Sequence, residues 1–121
     1  MKKVSQYSSN LRLTESYTND IKVSEAYTLE DIESCEDGPC YHREDGPAFI
    51  SYYSTGERQC EYWFIRDKLN RKNGPSIIQY HRNQSVIAKT YMVDSTKVSV
   101  NYFRVLCLVT SNVKGLASTF E

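Results

Sequence analysis

The sequence predicts a mainly β protein: tandem antiparallel β-hairpin repeats forming a single twisted sheet, with at most one or two short helical turns. Three observations predict it. A block of sequence recurs at a spacing of 28 residues, from Arg43 to Arg71. Each of the 3 prolines follows a glycine, at Gly38-Pro39, Gly46-Pro47 and Gly74-Pro75. The stretches between them alternate apolar and polar residues and draw on 10 tyrosines, a composition that favours strands. About six to eight strands are expected at hairpin-length spacing.

Residues 11–17 and 21–27 alternate around the turn formers Thr18, Asn19 and Asp20, which reads as a β-hairpin. Thr28-Leu29-Glu30-Asp31 has the form of a capping box, and a short helical turn over 28–35 is expected. The two repeats then occupy residues 42–69 and 70–97. His42-Arg43-Glu44-Asp45-Gly46-Pro47-Ala48 aligns with Asn70-Arg71-Lys72-Asn73-Gly74-Pro75-Ser76. The register continues with Ile50 over Ile78, Tyr52 over Tyr80 and Trp63 over Tyr91. Gly38-Pro39 stands eight residues before Gly46-Pro47, too close for a full copy, and reads as a duplicated turn or a frayed end of the array.

Each repeat reads as two strands. In the first, residues 48–53 run to a turn at Ser54-Thr55-Gly56-Glu57 and return over 59–65. Cys60, Tyr62 and Phe64 fall on one face and Glu61, Trp63 and Ile65 on the other. In the second, residues 76–80 pair with 86–93. Gln84 replaces Gly56, so the two turns are expected to differ, because glycine accepts a positive φ that glutamine resists. Asp45-Gly46-Pro47 and Asn73-Gly74-Pro75 read as structural turns, with the glycine in a strained φ and the proline opening a strand. Residues 98–109 read as a long final strand, or two strands bent near Arg104, and 111–121 as a loose tail or a short cap. A single domain over 1–121 follows, divided into an N-terminal hairpin cap (1–35), the repeats (36–97) and a C-terminal strand and tail (98–121).

The zero net charge hides a separation. Residues 14–37 carry eight acids and one base, and residues 58–104 carry nine bases and three acids. The two segments either neutralise one another or steer partners. No apolar run is long enough to span a membrane, and the charged residues 1–7 have no apolar stretch behind them. A cytoplasmic location and four reduced cysteines are the expectation.

Cys35, Cys40, His42 and Cys60 include a Cys-x4-Cys-x-His run, which is not a standard zinc spacing, and cysteines of a β-rich core are more often buried thiols. No metal and no cofactor are expected. A Cys40–His42 thiolate pair lacks an orienting third group, and His42 stands at a position that recurs with the repeat, as Asn70 in the second copy, so a bond to a neighbouring turn is its expected role. Arg43 and Arg71 are expected to pair with carboxylates or carbonyls of the adjacent hairpin. Phosphate-cradling glycine loops, paired CxxC and serine-nucleophile motifs do not occur, and the chain reads as non-enzymatic.

Residues 61–76, together with the run His42–Ala48, resemble the repeats of MORN-like proteins of phages, large DNA viruses and bacteria, whose unit runs W-Y-x-N-G-K-L-H-R-x-D-G-P-A. The resemblance covers residues 36–97 and departs from the unit at Asp67, Asn70, Asn73 and Ser76. It implies stacked single hairpins in an extended sheet and an interaction scaffold, and it places the chain as a viral or mobile-element accessory factor in the host-cell cytoplasm. Such proteins bind other proteins and sometimes acidic lipids.

The expected partner is therefore a protein, with binding residues among Tyr53, Trp63, Arg66, Arg71, Lys72, Tyr80 and Arg82, since tyrosine, tryptophan and arginine dominate protein interfaces. Homodimerisation through an edge strand (11–17 or 98–109) or a sheet face is a further expected contact. The alternative is acidic-lipid or nucleic-acid binding through 58–104, a Cys/His enzyme standing behind both. Nucleic acid is disfavoured, because the acidic segment would repel phosphates.

Overall fold

A computed structural model of the chain describes residues 1–29 and 40–98. Among the described residues every regular element is a strand: β1 (Lys2–Gln6), β2 (Leu11–Thr18), β3 (Ile21–Leu29), β4 (Cys40–Tyr41), β5 (Phe49–Tyr52), β6 (Arg58–Tyr62), β7 (Phe64–Ile65), β8 (Lys68–Leu69), β9 (Ile77–Tyr80), β10 (Val86–Val93) and β11 (Thr96–Val98). They form an open, twisted antiparallel sheet of 9 strands, one more than the upper expectation. Its order is β1-β2-β3-β5-β6-β9-β10-β11, with β4 also paired to β3. β7 and β8 make a separate 2-stranded ribbon, because the return strand breaks at Trp63 instead of running on to Ile65. Of the expected helical turn, Thr28 and Leu29 end β3 and the remainder lies outside the described residues, as does the final strand beyond Val98.

The recurrence at 28 residues is written into the backbone. Ala48 donates its N–H to Tyr62 (2.9 Å) and Ser76 to Thr90 (2.9 Å). Asp67 donates to the Tyr41 carbonyl (2.7 Å) and Ser95 to that of Leu69 (2.9 Å). In the reverse direction the Tyr41 N–H meets the Asp67 carboxylate, and the Leu69 N–H meets the Ser95 hydroxyl. Each two-residue hairpin tip thus hooks the chain that enters the preceding turn. Both tips hold left-handed backbone, at Arg66 (φ 46) and Asp67 (φ 67), and at Asp94 (φ 48) and Ser95 (φ 67). Positive φ at both central residues is what a two-residue hairpin loop of matching twist requires.

Three readings of the turns and edges are corrected. Gly56 (φ 103) and Gln84 (φ 69) adopt the same conformation, so the two hairpin turns match. Their bonds match too: Gly56 N–H to Tyr53 O and Gln84 N–H to His81 O are both 2.9 Å. The Gln84 amide offsets the strain by donating to the Arg58 and His81 carbonyls. Gly46 and Gly74 do not hold a positive φ, and their role is spatial. Residues 11–17 are not an edge: β1, which the polar sequence gave no reason to expect as a strand, covers them and is itself the exposed edge.

Directly paired residues point to the same side of a sheet. Glu15, Glu25, Ile50, Glu61, Ile78 and Lys89 therefore run across one face, and Thr14, Ala26, Phe49, Tyr62, Ile77 and Thr90 across the other. The buried apolar residues Leu11, Tyr27, Leu29, Ile50, Ile78 and Tyr91 belong to the first face, where the core sits, while Cys60 is buried on the second.

Candidate functional site

On the core face two layers repeat one arrangement. Glu61, only 6% exposed, accepts from Arg58 (2.6 Å), the Tyr80 hydroxyl (3.1 Å) and the Trp63 indole N–H (3.4 Å). Glu25 is bonded to Lys22, its charge acts on the Tyr52 hydroxyl, and Lys22 also reaches Glu15 at 3.4 Å. The Glu25 bond holds the Lys22 amine well above its ordinary pKa. Burial, and then the Glu61 charge, push the Tyr80 phenol up to about 12. Tyr52 is raised in the same way, by burial and then by Glu25.

The layers reveal a copy that sequence alignment misses. Lys22, Glu25 and Tyr27 precede Arg58, Glu61 and Trp63 by 36 residues, while Tyr52 precedes Tyr80 and Arg43 precedes Arg71 by 28. The difference equals the offset between Gly38-Pro39 and Gly46-Pro47. β3 is therefore the return strand of a third, degenerate unit, separated from the next by an eight-residue insertion between Tyr27 and Arg43.

An arginine locks the Gly46-Pro47 turn, and another the Gly74-Pro75 turn, onto the preceding aromatic. The Arg43 guanidinium lies 4.0 Å above the Tyr27 ring and donates to the Pro47 carbonyl at 3.2 Å. That of Arg71 lies 3.9 Å above Trp63 and donates to Pro75 at 3.3 Å. The bonded carbonyls belong to the arginines' own turns rather than the adjacent hairpin, while the aromatics belong to the neighbouring strand. A Cβ on Gly46 would stand 2.7 Å from Arg43 Cζ, and one on Gly74 2.8 Å from Arg71 Cζ. Glycine leaves room here for a guanidinium to pass beneath the turn. Arg43 also binds Asp45 (2.9 Å), which accepts from the Tyr7 hydroxyl (2.8 Å) and thereby ties the N-terminal segment to the first repeat. These two bonds, the tyrosine's first, hold the Asp45 carboxyl below its ordinary pKa.

His42 is 9% exposed, and its Nδ1 accepts from the Arg66 N–H at 3.0 Å, the bond to a neighbouring turn expected of it. Burial holds its pKa below the usual histidine value. Cys40 is fully buried and disulfide-bonded, so the expectation of four reduced thiols fails there and no thiolate faces His42. Cys60 is a buried free thiol whose pKa burial raises. Among the described residues, no group of three His, Cys, Asp or Glu side chains could hold a metal ion, and Cys35 lies outside them. Nor, among them, is any helix long and apolar enough to cross a membrane.

The residues singled out for binding separate. Trp63, Arg71 and Tyr80 are engaged in the core-face layers. Tyr53 donates to the Tyr80 carbonyl (2.6 Å) beneath the Arg82 guanidinium (5.0 Å), at the hairpin-turn end. Arg66 and Lys72 are exposed on other turns. What the structure brings together instead is an aromatic strip on the opposite face. Tyr41 meets Phe64 (5.3 Å) and Phe49 (6.1 Å), and Tyr62 meets Phe49 (6.0 Å) and Phe64 (6.2 Å). All four rings are half-buried. Grooves flank Phe49 on both sides. One of ≈ 570 Å³ is floored by Thr14, Ser16, Ser24 and Ala26, and one of ≈ 400 Å³ is lined by Ser51, Cys60 and Tyr62. The shared face of Tyr62 and Phe64 was readable from alternation, but Tyr41 and Phe49 join them only through pairing across strands.

Comparison with protein-family models, with curated proteins and with solved structures gave no match.

Proposed function

We propose that the chain is a non-enzymatic protein-docking module of the MORN-like type, built from three stacked hairpin units, one of them cryptic. The aromatic strip between two open grooves carries this reading. Small residues floor the grooves and rigid rings wall them, which suits insertion of a partner's side chains: tyrosine and phenylalanine offer contact area at little entropic cost. The recurrence of backbone bonds at the repeat spacing supports the MORN-like assignment.

The test is affinity capture with the full chain as bait in lysate of its own cell, beside Phe49→Ser and Tyr62→Ser. The wild type retains one discrete protein that both variants release, with circular dichroism unchanged. Equal retention by the variants, or binding of acidic vesicles with no protein captured, rejects the reading.

A further inference from the structure

The core-face layers continue into the second repeat with their charge reversed. Position 86, where Lys22 and Arg58 supply the base, is Val86, and position 89, where Glu25 and Glu61 supply the acid, is Lys89. Cross-strand pairing sets Lys89 beside Ile78, which is itself paired with Glu61. Lys89 is exposed, and no carboxylate among the described residues forms an ion pair with it. It borders a groove of ≈ 440 Å³ whose walls include Arg71, Pro75, Ile78, Tyr80 and Val86. Ile78 is 8% exposed and Val86 44%, so the floor is apolar and one rim is an uncovered apolar side chain. Glu61 also borders the groove, with its carboxylate already committed to Arg58, Tyr80 and Trp63.

We propose that this groove receives an acidic segment of a protein partner, whose carboxylate meets Lys89 and whose neighbouring apolar side chain rests on Ile78 and Val86. The proposal rests on the docking reading and adds the chemistry of the partner. Charge complementarity selects the occupant: among the described residues lining the groove, Lys89 has no ion pair and the one carboxylate, Glu61, is already bonded to Arg58. A partner carboxylate here restores the acid–base alternation that the two preceding layers hold internally. The apolar floor favours a peptide over an anionic membrane surface, for which a spread of exposed cations is the usual device.

Binding of a fluorescent peptide of alternating glutamate and valine to the full chain, followed by anisotropy, tests this. The peptide binds, binding weakens with salt, and the glutamine-for-glutamate peptide does not bind. Lys89→Glu lowers affinity about tenfold or more with an unchanged melting temperature, because reversal sets like charges together. Lys97→Glu, the same charge change on exposed β11, does not. Equal losses in the two variants, binding of the glutamine peptide, or binding of phosphatidylserine vesicles in place of the peptide overturns the proposal. So does a dimer, seen by light scattering, that Lys89→Glu dissociates, since the occupant is then a second copy. Capture of the partner by Lys89→Glu with loss in Tyr62→Ser leaves the docking reading standing and removes this groove from it.

Discussion

Gly46→Ala tests the reason for the repeated Arg-x-x-Gly-Pro motif. The new Cβ would lie 2.7 Å from Arg43 Cζ, about an ångström inside ordinary carbon–carbon contact. The flexible end of Arg43 must therefore shift, which loosens its contact with the Tyr27 face at 4.0 Å and its bond to Pro47 at 3.2 Å. Loss of a partly desolvated cation–π contact costs about 1 kcal/mol. Loss of a charge-assisted bond costs about 1.5–3 kcal/mol, and the Asp45 pair, whose carboxylate is exposed, adds about 0.5 kcal/mol at most. These terms overlap and are ceilings, because a shifted guanidinium keeps part of each contact, and a destabilisation of about 1–2 kcal/mol is expected, roughly 5 °C in Tm. Urea denaturation followed by circular dichroism measures it, in a cycle with Arg43→Ala. With the guanidinium gone, Gly46→Ala costs little. A cost that persists undiminished in the Arg43→Ala background refutes the spatial role and returns the glycine to backbone strain. Gly74→Ala gives an optical counterpart, because it displaces Arg71 from Trp63, the 1 tryptophan of the chain, and shifts its emission.

Other expectations follow from single contacts. Burial lowers the His42 pKa, so its contribution to stability is complete above the unfolded value of 6.5 and is lost as pH falls through the folded one. His42→Asn, the residue found at position 70, removes that acid dependence in melting curves, and an unchanged pH profile contradicts the neutral, Arg66-bonded histidine. Tyr80, raised from 10.0 to about 12, contributes stability that is complete below the unfolded value and lost as pH rises between the two. Tyr80→Phe flattens this alkaline loss, whereas a wild-type profile in the variant excludes the bond to Glu61. At Gln84, Gln84→Gly stays within about 1 kcal/mol of wild type, since relief of left-handed backbone offsets two lost bonds. Gln84→Ala loses the bonds and keeps the strain, so it unfolds at lower urea than Gln84→Gly, and the reverse order rejects the assignment.

The hairpins were legible because turn chemistry and alternation agree. Asn19-Asp20 sits in left-handed backbone between two alternating strands, and the Gly-Pro steps mark the strand entries of both repeats. β1 was not legible, since Lys2–Gln6 is polar and exposed and owes its conformation to pairing with β2. Nor was the role of Gly46 and Gly74, because a glycine that makes room and a glycine that takes a strained φ look alike in sequence. The cryptic unit kept only its basic residue, its glutamate and its aromatic, out of register by eight residues. Glu61 reads as a solvent-facing acid of a strand, and three donors gathered from β6, Trp63 and β9 make it a buried one. For the candidate surface, alternation divided the aromatics between faces. Trp63 and Tyr80, residues of the interface type, went to the internal layers, while Tyr41 and Phe49 completed the strip from distant parts of the chain.

Photo-crosslinking from the aromatic face tests the central claim, protein docking on this sheet, most directly. A photoreactive residue at Ser51, on the wall of the groove beside Phe49, is compared in the source cell with one at Asn83, on the exposed turn of the second repeat. The account predicts an adduct with one discrete protein from position 51 and none from position 83. No adduct from position 51, or equal yields from both positions, contradicts it.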